Sequence, residues 1–180
     1  MTKQYKLSDG RMIDIRLISK EDSISDLTSL VNKSYKLLAD MGLNYLAATQ
    51  GDEITLKRSQ KAYKCFIGIC EDQMIATLSL YAPKPSDKSG WYNRDFVAKV
   101  GQFAVLPQYQ KLGIGSMMMD LAEVEAGQIE GVTEVALDTA ETAYHLIKMY
   151  EKRGYKYIET VDWDITNYKS IIMSKRLKVV

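Results

Sequence analysis

Histidine and cysteine are scarce in this 180-residue chain, which holds one histidine, His145, and two cysteines, Cys65 and Cys70. A structural zinc site normally takes four Cys or His ligands, so the set is too small and no metal is expected. The cysteines stand in the run Cys-Phe-Ile-Gly-Ile-Cys, which reads as a strand. An odd offset along a strand sends them to opposite faces, so they are not expected to form a disulfide. An excess of one charge is also lacking: 24 Lys and Arg against 23 Asp and Glu leave a formal charge of +1. No global field recruits nucleic acid or an anionic membrane, although a local basic patch is compatible with the balance. Long hydrophobic runs are missing too. Nothing approaches the roughly 20 apolar residues of a membrane-spanning helix, and the opening Met1 to Lys6 has no secretory hydrophobic stretch, so a cytoplasmic location is expected. What remains is 46% apolar and 26% charged, the composition of an ordinary globular protein, and one domain over residues 1–180 is expected.

Along the chain, Gln4 to Leu7 and Met12 to Leu17 flank Ser8-Asp9-Gly10 and read as a hairpin. Ser19 and Asp22 resemble a capping box, after which Ile24, Leu27, Leu30, Val31, Ser34 and Leu38 keep helical spacing up to Gly42. A polar helix near Asp52 to Ala62 is expected at the surface. Strands Ala62 to Cys70 and Met74 to Leu80, joined by three residues, read as antiparallel neighbours. Tyr81 to Asp95, broken by Pro83, Pro85, Ser86, Ser89 and Gly90 around Trp91 and Tyr92, reads as a surface loop with aromatic content. A nearly continuous apolar strand follows over Val97 to Leu106. Helix, strand and helix come next, with Ile114, Met117, Leu121 and Val124 on one stripe, a strand at Val132 to Asp138, and Ala143, Leu146, Ile147 and Tyr150 on a last stripe that Gly154 ends. Tyr155 to Val161 and Ser170 to Leu177 close the sheet across a polar turn. The pattern predicts an α/β fold whose mixed sheet is antiparallel early and parallel in the middle.

The richest segment runs from Val105 through Pro107, Gln110 and Lys111 to Gly113, Gly115 and Ser116, a strand end that turns into a helix. Such a turn leaves backbone N–H groups unpaired where the helix dipole favours negative charge, and glycine lets a ligand approach closely. It is an anion site without a dedicated cation. A nucleotide P-loop is excluded because Lys111 precedes the glycines, and a dinucleotide fingerprint because the third glycine is missing.

The order Gln110, two residues, Gly113, one residue, Gly115 resembles the hallmark of the GNAT N-acetyltransferase superfamily. The likeness is strengthened by Val105-Leu-Pro107 before it and by Tyr150-Glu-Lys-Arg-Gly154-Tyr155 after it, and it covers roughly Val97 to Val161. The resemblance implies the GNAT fold, a mixed central sheet flanked by helices, and acetyl-CoA as donor. It implies that Phe103 and Val105 meet the pantetheine arm. Behind Gln110, the N–H groups of Lys111, Leu112, Gly113, Ile114, Gly115 and Ser116 would hold the pyrophosphate. It makes Tyr150 the general acid for the departing thiolate, a task a phenol of pKa near 10 can perform. The bland alternative is that Tyr150 only completes its helix stripe. Two departures stand out. The strand Val100 to Val105 offers Gln102 but no carboxylate, and Ala143 stands where many relatives have asparagine.

An aliphatic amine is neutral in only about one molecule in 10³ at pH 7, a cost of roughly 4 to 5 kcal/mol, so some group or water chain should collect its proton. Asp138 and Glu141, at the end of the strand after the glycine helix, are positioned for this. Capping of the last helix by Asp138 or Thr139 is the competing reading. Tyr45, Trp91 and Tyr92 are the loop aromatics expected to wall the acceptor pocket, although such residues also cap cores. His145, Lys148, Lys152 and Arg153 read as a solvated face. The expected partner is a small-molecule or peptide amine rather than nucleic acid or a membrane, and a homodimer is compatible with the chain. A non-catalytic acyl-CoA-binding or sensing module, or an interaction domain that keeps only the fold, is the alternative to an N-acetyltransferase.

Overall fold

A computed structural model of the chain describes residues 2–85 and 88–178, which leaves Ser86 of the proline-containing loop outside. The Asp9-Gly10 signal is realised: β1 (Lys3–Lys6) and β2 (Met12–Leu17) pair antiparallel, with Gly10 at φ +91°. The first helix begins later than Ser19. Asp22 does accept the Ser19 N–H at 2.7 Å, but its carboxylate is also held by Arg16 at 2.7 Å, which fixes a turn between strand and helix. The same Ser-x-x-Asp spacing recurs four residues on, where Ser23 caps the Asp26 N–H at 3.1 Å and opens α1 (Ile24–Asp40). The polar helix α2 (Asp52–Lys61) lies at the surface as its composition requires. Next, β3 (Lys64–Cys70) and β4 (Gln73–Tyr81) form a hairpin whose turn residues Glu71 and Asp72 both adopt positive φ, the geometry that matches strand twist. Cys65 and Cys70 are buried free thiols.

The second half alternates as its periodicity predicts: β5 (Val97–Val105), α3 (Ile114–Ala126), β6 (Glu134–Ala140), α4 (Tyr144–Lys152), β7 (Lys156–Asp162) and β8 (Lys169–Arg176). All strands join one sheet in the order β1-β2-β3-β4-β5-β6-β8-β7, parallel only between β5 and β6. The final hairpin is inserted back to front, with β8 beside β6 and β7 at the edge. Burial accounts for it. In β8 the run Ser170 to Ser174 is buried apart from the half-buried Ile171, whereas β7 buries only Val161 and exposes Tyr157.

Two expectations are corrected here. The loop after β4 is not simply surface: Ser89 and Tyr92 are buried, and Tyr92 joins Val97, Ala136, Val161 and Ile172 in a second apolar cluster. The loop is pinned by Glu159 of β7, which accepts from Ser89 Oγ at 2.5 Å and from the Trp91 N–H at 3.0 Å. Arg153 is not solvated either. It donates to Asp120 at 2.6 Å and to Glu123 at 3.0 Å, tying the end of α4 to α3. Among the described residues, no helix is long and apolar enough to cross a membrane, and no three His, Cys, Asp or Glu side chains are grouped to hold a metal ion.

Candidate active site

The parallel pair β5–β6 is short. It runs in register from Val97 opposite Glu134 to Lys99 opposite Ala136 and stops. Just beyond, β5 carries a bulge: Gly101 to Ala104 faces only Ser79 to Thr77 of β4, and Gln102 takes φ +45° to absorb the extra residue. A bulge bends and twists its strand, and here it coincides with the parting of β5 from β6. The wedge between them opens into a cleft of about 750 Å³.

Tyrosines from distant parts of the chain fill the walls of this wedge. Tyr35 of α1 donates to the Phe103 carbonyl at 3.0 Å. Tyr45 accepts the Ala140 N–H at 2.9 Å, so a side chain takes over backbone pairing that β5 no longer gives to β6. The Tyr35, Tyr45 and Tyr168 rings follow one another in tilted contacts, with centroids 5.4 Å and 4.8 Å apart. Tyr92 donates to Asp138 Oδ1 at 2.9 Å. Tyr150 of α4 lines the same cleft, and its hydroxyl has no hydrogen-bond partner among the described residues. Burial pushes its acidity well below that of an ordinary phenol, and the charge of Asp138 adds to the effect. Tyr150 is therefore a neutral hydroxyl whose proton is uncommitted.

The structure thus brings together Phe103, Asp138, Tyr150, Tyr45 and Tyr92 around one cavity. Trp91 does not line it. Its ring packs edge-on against Phe96 at 5.7 Å, so its pocket assignment is corrected to a core role. Glu141 does not line it either, and the competing cap at α4 is not formed: Ala143 is the N-cap, without a side-chain hydrogen bond. Sequence reasoning missed Tyr35, Tyr168 and Arg58. Tyr35 follows Leu27 and Val31 at four-residue spacing on the buried stripe of α1 and was legible in that phase. Tyr168 and Arg58 belong to a turn and to a polar helix, and carried no such signal.

The glycine turn lies past the far end of β5. Lys111 and Gly113 adopt positive φ, and α3 starts with neither a side-chain cap nor an acidic residue in its first turn. Its leading N–H groups, from Ile114, Gly115 and Ser116, thus have neither an intrahelical acceptor nor a side-chain cap. Gly115 backs onto Phe103, whose ring edge would be 3.4 Å from an added Cβ. Gln110 folds back and donates its side-chain amide to the Val105 carbonyl at 3.1 Å, which braces the turn.

This geometry has counterparts. The model of the Acetyltransferase (GNAT) family matches residues 28–155. The chain belongs to the GNAT acetyltransferase family. It is accordingly an N-acetyltransferase with acetyl-CoA as its donor. S-(2-succino)cysteine N-acetyltransferase of Bacillus subtilis (strain 168) is 27% identical to it over 163 residues, 89% of this chain and 94% of that protein. The GNAT domain of S. lividans PAT has the same fold, with a TM-score of 0.74 at 15% identity over 98% of this chain and 97% of that one. So does a GNAT family acetyltransferase from Elizabethkingia anophelis solved with acetyl-CoA bound, with a TM-score of 0.63 at 13% identity over 92% and 98% of the two chains. The donor fits what this chain offers: a strand edge released from β6 beyond Lys99 and, past Val105 at the same end of β5, an uncapped helix start.

Proposed function

We propose that the chain acetylates the amine of a small molecule or peptide by direct attack, as one acetyltransferase domain over residues 1–180, with Tyr150 as general acid and Asp138 as proton acceptor. Acetyl-CoA supplies an activated carbonyl: the amine nitrogen bonds to it, the carbon–sulfur bond breaks, and the sulfur leaves as a thiolate. The residues of the chain manage the protons. The incoming ammonium must lose one, and Asp138, with one oxygen on Tyr92, has a second available toward the cleft. Tyr150 supplies the proton the thiolate needs. Its raised pKa does not disqualify it, because the same dry environment that disfavours a phenolate also disfavours a thiolate. The observation that carries this reading is the uncommitted hydroxyl of the buried Tyr150 side chain, which lines the cleft that also holds Asp138. The name of the Bacillus relative, an enzyme acting on a cysteine derivative, favours a small-molecule acceptor over a protein.

Following thioester consumption with free-thiol detection tests this directly. Tyr150→Phe is expected to lower kcat by roughly 10²- to 10⁴-fold while the rise in melting temperature caused by acetyl-CoA persists. Unchanged turnover would remove Tyr150 from the mechanism. Asp138→Asn is expected to be most damaging near neutral pH and to recover as the pH approaches the amine pKa, where the acceptor arrives already neutral.

A further inference from the structure

The cleft has a charge pattern that acetyl transfer alone does not require. Arg58, Lys61, Lys84 and Lys99 line it, and among the described residues Asp138 is the one carboxylate that does. The phosphates of the donor do not explain them. None of residues 110–116 lines the cleft, and Lys99 stands six residues before Val105 on β5, about 20 Å along an extended strand. Favourable placement at a helix C-terminus accounts for Arg58 and Lys61 in the last turn of α2, but not for Lys84, which lines the same cleft from the β4–β5 connection.

Arg58 is also held in place. It donates to Gln50 Oε1 at 2.6 Å, and Gln50 donates in turn to Thr55 Oγ1 at 2.8 Å and to Gln102 Oε1 at 3.3 Å, at the bulge itself. These supports are neutral, and no carboxylate among the described residues pairs with its guanidinium. A guanidinium oriented by neutral groups keeps most of its five N–H donors and its full charge for a planar anion. Opposite it, Asp138 serves the amine. Tyr35 is held protonated above all by burial, with the charge of Asp138 acting in the same sense and that of Arg58 against it.

We infer that the acceptor is an amino acid bearing more than one carboxylate, bound with its amine toward Asp138 and a carboxylate on Arg58, while Lys61 and Lys84 hold a second anionic group at the exposed rim. This rests on the acetyl-transfer reading above. A polyamine would meet more like charge than opposite charge along the described lining. Lys99 is seated 4.2 Å over the Tyr92 ring and is not part of the clamp.

The test is acetylation by the intact chain of glutamate and S-carboxymethylcysteine, of the same compounds with their carboxylates amidated, and of spermidine. The dicarboxylates are expected to exceed the amides in kcat/KM by roughly 10- to 100-fold, the worth of a charge-assisted contact. Arg58→Gln is expected to raise KM for the dicarboxylates, to abolish the preference over the amides, and to leave the acetyl-CoA melting shift intact. Arg58→Lys should restore part of the preference. The Lys61→Gln/Lys84→Gln double variant, which leaves the buried Gln50 network untouched, should lower the preference for the second carboxylate alone. Equal or better use of spermidine or the amides would overturn the inference and leave acetyl transfer standing. Loss of dicarboxylate and amide turnover in equal measure in Arg58→Gln would reduce Arg58 to a structural support. Failure to acetylate any amine would overturn the underlying reading as well.

Discussion

At the scale of single residues, protonation states are set by what each side chain touches. Tyr150 is buried among other tyrosines and near Asp138, which keeps its hydroxyl neutral. Because its pKa is raised, the acid form persists beyond the usual phenol range, so a pH–rate profile measured up to about pH 10 should show no falling limb from Tyr150. Asp22 is the opposite case. Its hydrogen bond to Arg16, with Ser19 contributing, holds its pKa at about 2 against an ordinary 3.8. A depressed carboxylate contributes stability that is complete above 3.8 and is lost as pH falls through about 2. Acid unfolding followed by circular dichroism should therefore lose this contribution across that window. Asp22→Asn should be less stable than the parent at pH 7 but converge with it at the acid end. The pair is partly exposed, so the difference should be modest.

At the scale of elements, two local irregularities make the site: the bulge in β5 and the turn that follows it. The turn was legible in the spacing Gln110, Gly113, Gly115, because an exposed helix start with φ > 0 leaves a composition signature. Gly113 sits at φ +88° with space for a Cβ, its nearest contact being the flexible Met117 Cε at 3.6 Å. Gly113→Ala should therefore cost conformational strain of about 1 to 2 kcal/mol, read in urea unfolding, and should raise KM for acetyl-CoA. Gly131→Ala, at φ +78° in open space away from the turn, should show a similar stability loss with KM unchanged. The bulge was not legible. Gln102 in Val100 to Val105 reads as an ordinary residue of an apolar strand, since a register shift is decided by the partner strand β4 and not by β5 itself. The start of α1 was misplaced for a related reason: two Ser-x-x-Asp repeats compete, and Arg16 on a neighbouring strand decides between them.

At the scale of the molecule, α3, α4 and β8 meet around Glu123. It accepts from Arg153 at 3.0 Å, Tyr155 at 3.2 Å and Lys175 at 2.5 Å, with its side chain 13% exposed. Removing this carboxylate takes the ion-pair partner from Lys175 and leaves Arg153 with Asp120 alone, so Glu123→Ala should destabilise the fold by roughly 1 to 3 kcal/mol in chemical denaturation. Because the cluster steadies α4, the loss should also lower kcat through Tyr150. The sequence by itself determined which segments become strand and helix, the parallel crossover, and the glycine turn that opens α3, since hydrophobic period, glycine and capping residues act through neighbours a few positions away. Only the tertiary structure decided that β8 displaces β7 beside β6, that Trp91 packs inward while Tyr92 holds Asp138, and that Tyr35, Arg58 and Tyr168 share the cleft with Tyr150. Those juxtapositions follow from the competition of whole surfaces for burial and from a bulge that parts two strands, and neither is encoded in any short window of the chain.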